Sequence, residues 1–151
     1  MKKLLFLFII NMNNSNITIV SSCNSQSNLS IVAHYLQAKQ KLMQENATKE
    51  DVETILDFYS DTLSYEHVLS SEKKFIFHGK NDLGSGYTSH LGETRNVKIE
   101  LLNSIERQNI IVAEYSIKRE FTSSGKIENS KIVSLFEFDR SGKIKRMIDY
   151  L

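Results

Sequence analysis

Four histidines, one cysteine and a scatter of carboxylates are the side chains of this chain that could do chemistry, and their spacing decides how much. His34, His67, His78 and His90 are spread without metal-ligand spacing, and the lone Cys23 sits near the N-terminus, so a zinc site is not expected. No Gly-rich phosphate loop, nucleophile elbow or dinucleotide fingerprint occurs, and no cofactor is implied. Glu114 lies mid-strand among apolar residues, a pocket acid if it faces inward and a solvated residue if outward. Tyr35, Tyr59 and Tyr87 fall on helical patterns and read as core residues with their hydroxyls near water. None of these residues completes a catalytic set by itself.

The elements that must position them change character along the chain. There is no proline, and all six glycines lie at or after residue 79, so the first half lacks strong chain-breakers. Ile31, Tyr35, Ala38 and Leu42, flanked by Val32, Leu36 and Met43, recur at three-and-four spacing and predict a helix from Leu29 to Gln44. Thr48 reads as an N-cap with Glu50 and Asp51 in the first turn, and Val52, Ile55, Leu56 and Tyr59 predict a second helix ending near Tyr59. From Asp61 the period becomes two: Leu63, Tyr65 and His67 alternate with Ser64, Glu66 and Val68. Lys80 to His90 predicts a third short helix with Leu83 and Tyr87 inward, although Gly84 and Gly86 would each cost it about 1 kcal/mol.

The remainder is strand and turn. Val97, Ile99, Leu101 and Ile105 alternate with polar partners, and Ile110 to Phe121 is rich in β-formers. Ser123–Lys126 reads as a hairpin turn, Lys131 to Phe138 as the next strand, Asp139–Gly142 as a second turn, and Lys143 to Leu151 as the last strand. Helices first and antiparallel strands after make an α+β arrangement.

Composition bounds the partners. A chain of 151 residues suits one domain. Removing residues 1–22 takes away only Lys2 and Lys3, leaving 17 basic against 18 acidic side chains, a balance that argues against nucleic-acid binding. Lys98, Lys118, Arg119, Lys143, Lys145 and Arg146 are interleaved with glutamates and read as a solvated sheet face.

Residues 1–22 read as an export signal: Lys2 and Lys3 precede the apolar run Leu4–Ile10, and small residues stand before Cys23. Val20-Ser-Ser-Cys23 resembles a bacterial lipobox, which implies cleavage before Cys23 and a lipid on its sulfur. The polar stretch Asn11–Asn16 interrupts the apolar core, and plain secretory cleavage at the same place would suit Val20 and Ser22 equally. A buried strand at residues 4–10 is the structural alternative. With a single cysteine no intramolecular disulfide can form. Neither apolar run approaches the ~20 residues of a spanning helix, so any membrane contact is expected through Cys23 alone. Residues 23–28 would be a tether and 29–151 the domain, placed in the cell envelope, or else secreted or periplasmic.

Three stretches carry a family likeness: Phe58–His67 entering the first strand, Phe77–Leu83 entering the third helix, and Phe136–Tyr150 at the end. Their order and spacing resemble the nuclear transport factor 2-like superfamily, its SnoaL-like and ketosteroid isomerase-like branches in particular. The resemblance implies a curved antiparallel sheet curled around the helices into a cone, with the inside as ligand site. In the isomerase branch the first strand supplies an aspartate base, and His67 is similar in position; an imidazole suits proton transfer. The donors of that branch are not matched, because Lys41 and Ser134 stand at the corresponding positions, so steroid isomerisation is not expected.

In that register Ser134, Phe136 and Phe138 point inward from one strand and Met147, Asp149 and Leu151 from the last, with Asp149 opposite His67 and able to orient its imidazole. The resemblance thus implies His67 and Asp149 as the catalytic pair, if there is catalysis, and Tyr65, Ser134, Phe136 and Met147 as ligand-binding residues. It implies a pocket protein for a small, largely apolar molecule. A SnoaL-like cyclase, isomerase or hydrolase with His67 as base, and a homodimeric interaction module using the outer sheet face, are the alternatives.

Overall fold

The computed structural model describes residues 27–70 and 73–151. The expected signal segment 1–22, Cys23 and tether residues 24–26 lie outside them.

Helix α1 spans Asn28–Leu42. Ser27, assigned to the tether, is its N-cap and accepts the Ser30 amide at 3.2 Å. Val32, Tyr35, Leu36, Lys39 and Leu42 form its buried stripe, one lysine among apolar side chains. Helix α2, Lys49–Leu56, starts where the Thr48 amide and hydroxyl both donate to the Asp51 carboxylate, at 2.9 and 3.1 Å. Lys41 of α1 closes on the same carboxylate at 2.7 Å and faces solvent, so it is not the helix residue that points toward the sheet.

Strand β1 runs Tyr59–Val68. Tyr59 therefore heads a strand rather than ending α2: the Ile144 amide donates to Phe58 O at 2.9 Å, and pairing with the last strand overrides the helical spacing. Strand β2, Lys74–His78, pairs antiparallel with β1 and leads at once into α3, Gly79–Ser89. The glycines that weaken α3 on propensity are explained by close approach. A Cβ on Gly84 would lie 2.9 Å from Leu56 Cδ1, and one on Gly86 3.2 Å from the Phe77 ring.

Strands β3 (Thr94–Arg107), β4 (Ile110–Phe121), β5 (Ile127–Phe138) and β6 (Ile144–Tyr150) complete one six-stranded sheet in the order β2-β1-β6-β5-β4-β3. The sheet is not antiparallel throughout, because β1 and β6 run parallel. Strand β3 slips register between Arg95 and Lys98 and between Leu101 and Asn103. Such bulges bend a strand and coil the sheet. They also put Ile105, which keeps alternate spacing with Leu101, onto the outer face, where it is 59 % exposed. Helix α1 and the residues just after it tie down the loosened backbone: Gln40 accepts the Ile99 amide at 2.7 Å, and Gln44, beyond the helix end, bonds both the amide and carbonyl of Val97. The curved, unclosed sheet thus wraps α1, and the core lies on its concave face.

Candidate functional site

Alternation decides what faces α1. Leu63, Tyr65 and His67 of β1 share the concave face with Met147 and Asp149 of β6, Ser134 and Phe136 of β5, and Ala113 and Tyr115 of β4. Two transverse rows result: Tyr65–Met147–Phe136–Ile111 and, one step outward, His67–Asp149–Ser134–Ala113.

The inner row is packed solid. Phe136 and Met147, expected to contact a ligand, are fully buried; Phe136 meets Tyr35 edge to face at 5.4 Å, and the Tyr59 hydroxyl donates to Met147 Sδ at 3.7 Å. Tyr59 Oη also lies 3.0 Å from Tyr35 Oη and 3.1 Å from Tyr87 Oη, so the three phenols satisfy one another. Burial raises the pKa of all three, which keeps them neutral. The hollow expected to reach this depth is therefore filled by aromatic rings.

The outer row is polar. Asp149 is 1 % exposed, and its Oδ2 takes a 2.6 Å hydrogen bond from Tyr65 and an ion pair from Lys39 at 3.4 Å. Its Oδ1 takes the Ser134 hydroxyl. Ser134 Oγ also lies 3.0 Å from Tyr115 Oη. A hydroxyl has one proton; with Ser134 donating to the carboxylate, Tyr115 donates to Ser134. Lys39 in turn donates to Tyr115 at 3.1 Å, and its ammonium sits over the Tyr115 ring at 5.3 Å. Desolvation by itself would lower the Lys39 pKa, but Asp149 and then Tyr115 outweigh it, and the group stays above the ordinary lysine value. Tyr65 is held above the usual phenol range by burial first and by Asp149 second. Five side chains from α1, β1, β4, β5 and β6 thus form one satisfied network.

His67 stands beside that network rather than in it. It pairs with Asp149 on the ladder and stacks on Tyr65 at 6.1 Å, but the carboxylate oxygens are taken by Tyr65, Lys39 and Ser134, and His67 Nε2 has no partner. Burial lowers its pKa, opposed by Asp149 and assisted by Lys39 and Arg119, so the imidazole is neutral at pH 7. Glu114 lies on the outer face near Lys131, at 3.9 Å, and is not a pocket acid. Leu151 follows Asp149 in alternation but is half exposed at the rim. Arg119, assigned to the solvated face, follows Tyr115 and Ile117 onto the concave one.

Lys39 and Tyr115 were not singled out from the sequence, and Arg119 only as a solvated residue. A signal for Lys39 existed: it sits four residues after Tyr35 and three after Leu36, on the apolar stripe. Among the described residues no group of three or more His, Cys, Asp or Glu is placed to hold a metal ion, and no helix is long and apolar enough to cross a membrane. Two surface crevices, of about 410 Å³ beside Asn109, Phe138 and Lys145 and about 330 Å³ beside Ile31, Phe58 and Lys143, lie at the other end of β5 and β6 from Asp149 and include none of the network residues.

No protein-family model matches the chain, and no curated protein matches it. Among solved structures it is similar to the crystal structure of an NTF2-like protein of unknown function from Burkholderia pseudomallei, at 15 % identity and a TM-score of 0.63, over 82 % of this chain and 89 % of that one. That likeness over most of both chains shows the fold: the chain has the nuclear transport factor 2-like fold.

Proposed function

We propose that this protein binds a small, largely apolar molecule at the mouth of the concave face, without strong catalysis. The observation that carries the reading is the juxtaposition of a buried polar row with an apolar rim. Tyr65, Asp149, Ser134, Tyr115 and Lys39 form a fixed floor, and alternation sets Leu69 after His67, Phe75 opposite it and Leu151 after Asp149, each 37 % exposed or more. Ligand sites combine apolar walls with a few placed polar groups in this way. Acid–base chemistry is less well supported, because Asp149 gives both oxygens to other donors and does not orient His67. Thermal-shift and native mass spectrometry screens of small apolar compounds test the reading: a ligand at a hundred times its Kd should stabilise the fold by about 2.7 kcal/mol. If no compound binds, or if His67→Ala abolishes a turnover found in the same screen, the reading fails, and the second outcome favours an enzyme.

A homodimer is supported by a separate observation. On the outer face one register row reads Ile76, Glu66, Ile148, Leu135, Val112 and Ile105, and the next contains Val68, Tyr150 and Val133. Ile76, Ile105, Val133 and Tyr150 are each at least 40 % exposed, and Arg146–Glu66 and Lys145–Glu137 lie beside them as opposite charges suited to a two-fold contact. Sizing should give a dimer that Val133→Lys converts to monomer; a monomeric parent protein at micromolar concentration removes the idea. Export remains part of the proposal, and mass spectrometry of Cys23 tests for the lipid.

A further inference from the structure

Among the described residues, two buried side-chain nitrogens have no hydrogen-bond partner: His67 Nε2 and Arg119 Nε. They come from strands that are not neighbours, since β6 and β5 lie between β1 and β4. Alternation nevertheless puts both on the concave face, His67 after Leu63 and Tyr65, and Arg119 after Tyr115 and Ile117. Burial is the main reason the His67 imidazole resists protonation, and the charges of Lys39 and Arg119 add to it.

Arg119 is held but only half used. Its Nη2 donates to Glu128 Oε1 at 2.6 Å, an oxygen that also takes the Ser130 hydroxyl at 3.1 Å, and its plane lies over the Phe121 ring at 5.0 Å. Arg95, another strand arginine paired to a glutamate, behaves differently: it gives both Nε and Nη2 to Glu120 Oε1, at 3.0 and 2.5 Å. An arginine fork suits a carboxylate because its N–H groups are fixed and parallel. Arg119 leaves its Nε–H without an acceptor on the face that His67 shares, and a buried donor without an acceptor is the cost that a ligand oxygen would remove.

We propose that the mouth of the concave face takes the carboxylate of a small apolar acid, with Arg119 Nε–H and His67 Nε2–H as its donors and Phe75, Leu69 and Leu151 along its apolar body. This rests on the pocket reading above and adds the charge of the ligand. The charged and titratable groups facing His67 are Tyr65 on its own strand, Asp149 on β6, Lys39 on α1 and Arg119 on β4; Glu128 on β5 holds Arg119, and Lys73 covers the Phe75 ring at 5.8 Å. Lys39 is already matched to Asp149 and Arg119 to Glu128, so an incoming carboxylate favours proton uptake by His67. Binding should therefore tighten as pH falls through the ordinary histidine range.

The test is calorimetric titration of the full-length protein with octanoate and with 1-octanol, at about pH 6 and about pH 8, on either side of the ordinary histidine pKa. Octanoate should bind at least about tenfold more tightly than octanol, the worth of a charge-assisted hydrogen bond, and more tightly at the lower pH. Arg119→Gln should remove that advantage and leave octanol binding unchanged. In the unsubstituted protein octanoate, and not octanol, should raise the His67 pKa followed by NMR, which decides the matter even if Arg119→Gln does not fold. Equal binding of the two probes with no shift at His67 overturns the carboxylate proposal and leaves the pocket reading standing. Failure of both probes to bind at millimolar concentration overturns both.

Discussion

Replacing Lys39 by Met isolates the charge at the centre of the concave face, because methionine keeps the length of the lysine stem between the Tyr35 and Tyr115 rings and removes the ammonium. The pair with Asp149 is not a surface ion pair: the side chains are 11 % and 1 % exposed, so the small values typical of exposed pairs do not apply. Removing one partner of a buried pair costs about 3–5 kcal/mol. Here the lower end applies, since the separation is 3.4 Å and Asp149 keeps Tyr65 and Ser134 as donors. The expected loss is about 3 kcal/mol, measured by urea unfolding at neutral pH with an unchanged m-value.

The double variant Lys39→Met/Asp149→Leu should recover most of that loss, since two uncharged side chains leave no buried charge, and the cycle should return a coupling of about 1–3 kcal/mol. The pH dependence has a definite sign. The folded-state pKa of Lys39 is raised, so its contribution is complete below the unfolded lysine value near ~10.4 and is lost only as pH rises through the folded one. Lys39→Met should therefore remove part of the alkaline loss of stability. A cost below about 1 kcal/mol, with no coupling in the cycle, would refute the argument that this network is held by its charge pair.

Other expectations are more local. Asp51→Asn should cost about 1 kcal/mol through the α2 cap; the carboxyl is held below its ordinary pKa by Lys41 first and the Thr48 amide second, so the benefit is present above the usual carboxyl range, disappears as pH falls through the depressed value, and should be missing from an acid titration of the variant. His67 has a folded pKa below the unfolded one, so stability should rise as pH climbs toward ~6.5, a slope that His67→Gln should flatten in unfolding curves. Phe136→Ala should cost about 3–5 kcal/mol in chemical denaturation, because the ring is fully buried against Tyr35. Gly84→Val should lower Tm by overpacking at Leu56, a cost of about 1–3 kcal/mol.

Periodicity carried the reading of the fold where one period ruled a segment. The stripe of α1, the Thr48 cap and the inward alternation of Ser134, Phe136 and Phe138 are legible because each pattern is local. Tyr59 was misplaced because Val52, Ile55, Leu56 and Tyr59 keep helical spacing past the point where the chain meets Ile144, a contact no local pattern records. Ile105 keeps alternate spacing with Leu101 but not its face, because alternation holds only along an unbroken strand and the bulge after Leu101 reverses it. Strand β2 escaped notice: five residues between charged and polar neighbours give two turns of alternation at most. At the site, Asp149, Tyr65 and Ser134 followed from register, whereas the choice of Lys39 over His67 as the neighbour of the carboxylate depends on where α1 crosses the sheet. Interior depth was not legible either, since the same residues line a hollow or fill it according to how tightly the sheet curls.

The parallel pairing of β1 with β6 sets the order in which this protein can be completed. Among the described residues, 144–150 supply the only strand pairing between the β1–β2 hairpin and the β3–β4–β5 meander. Without those residues the helices and the meander can form but the two halves of the sheet share no strand pairing, and of the five network side chains Asp149 is the last along the chain, after Lys39 and Tyr65. Contacts closing over such sequence distances form slowly, so loss of the final strand should cut the sheet in two rather than shorten it by one.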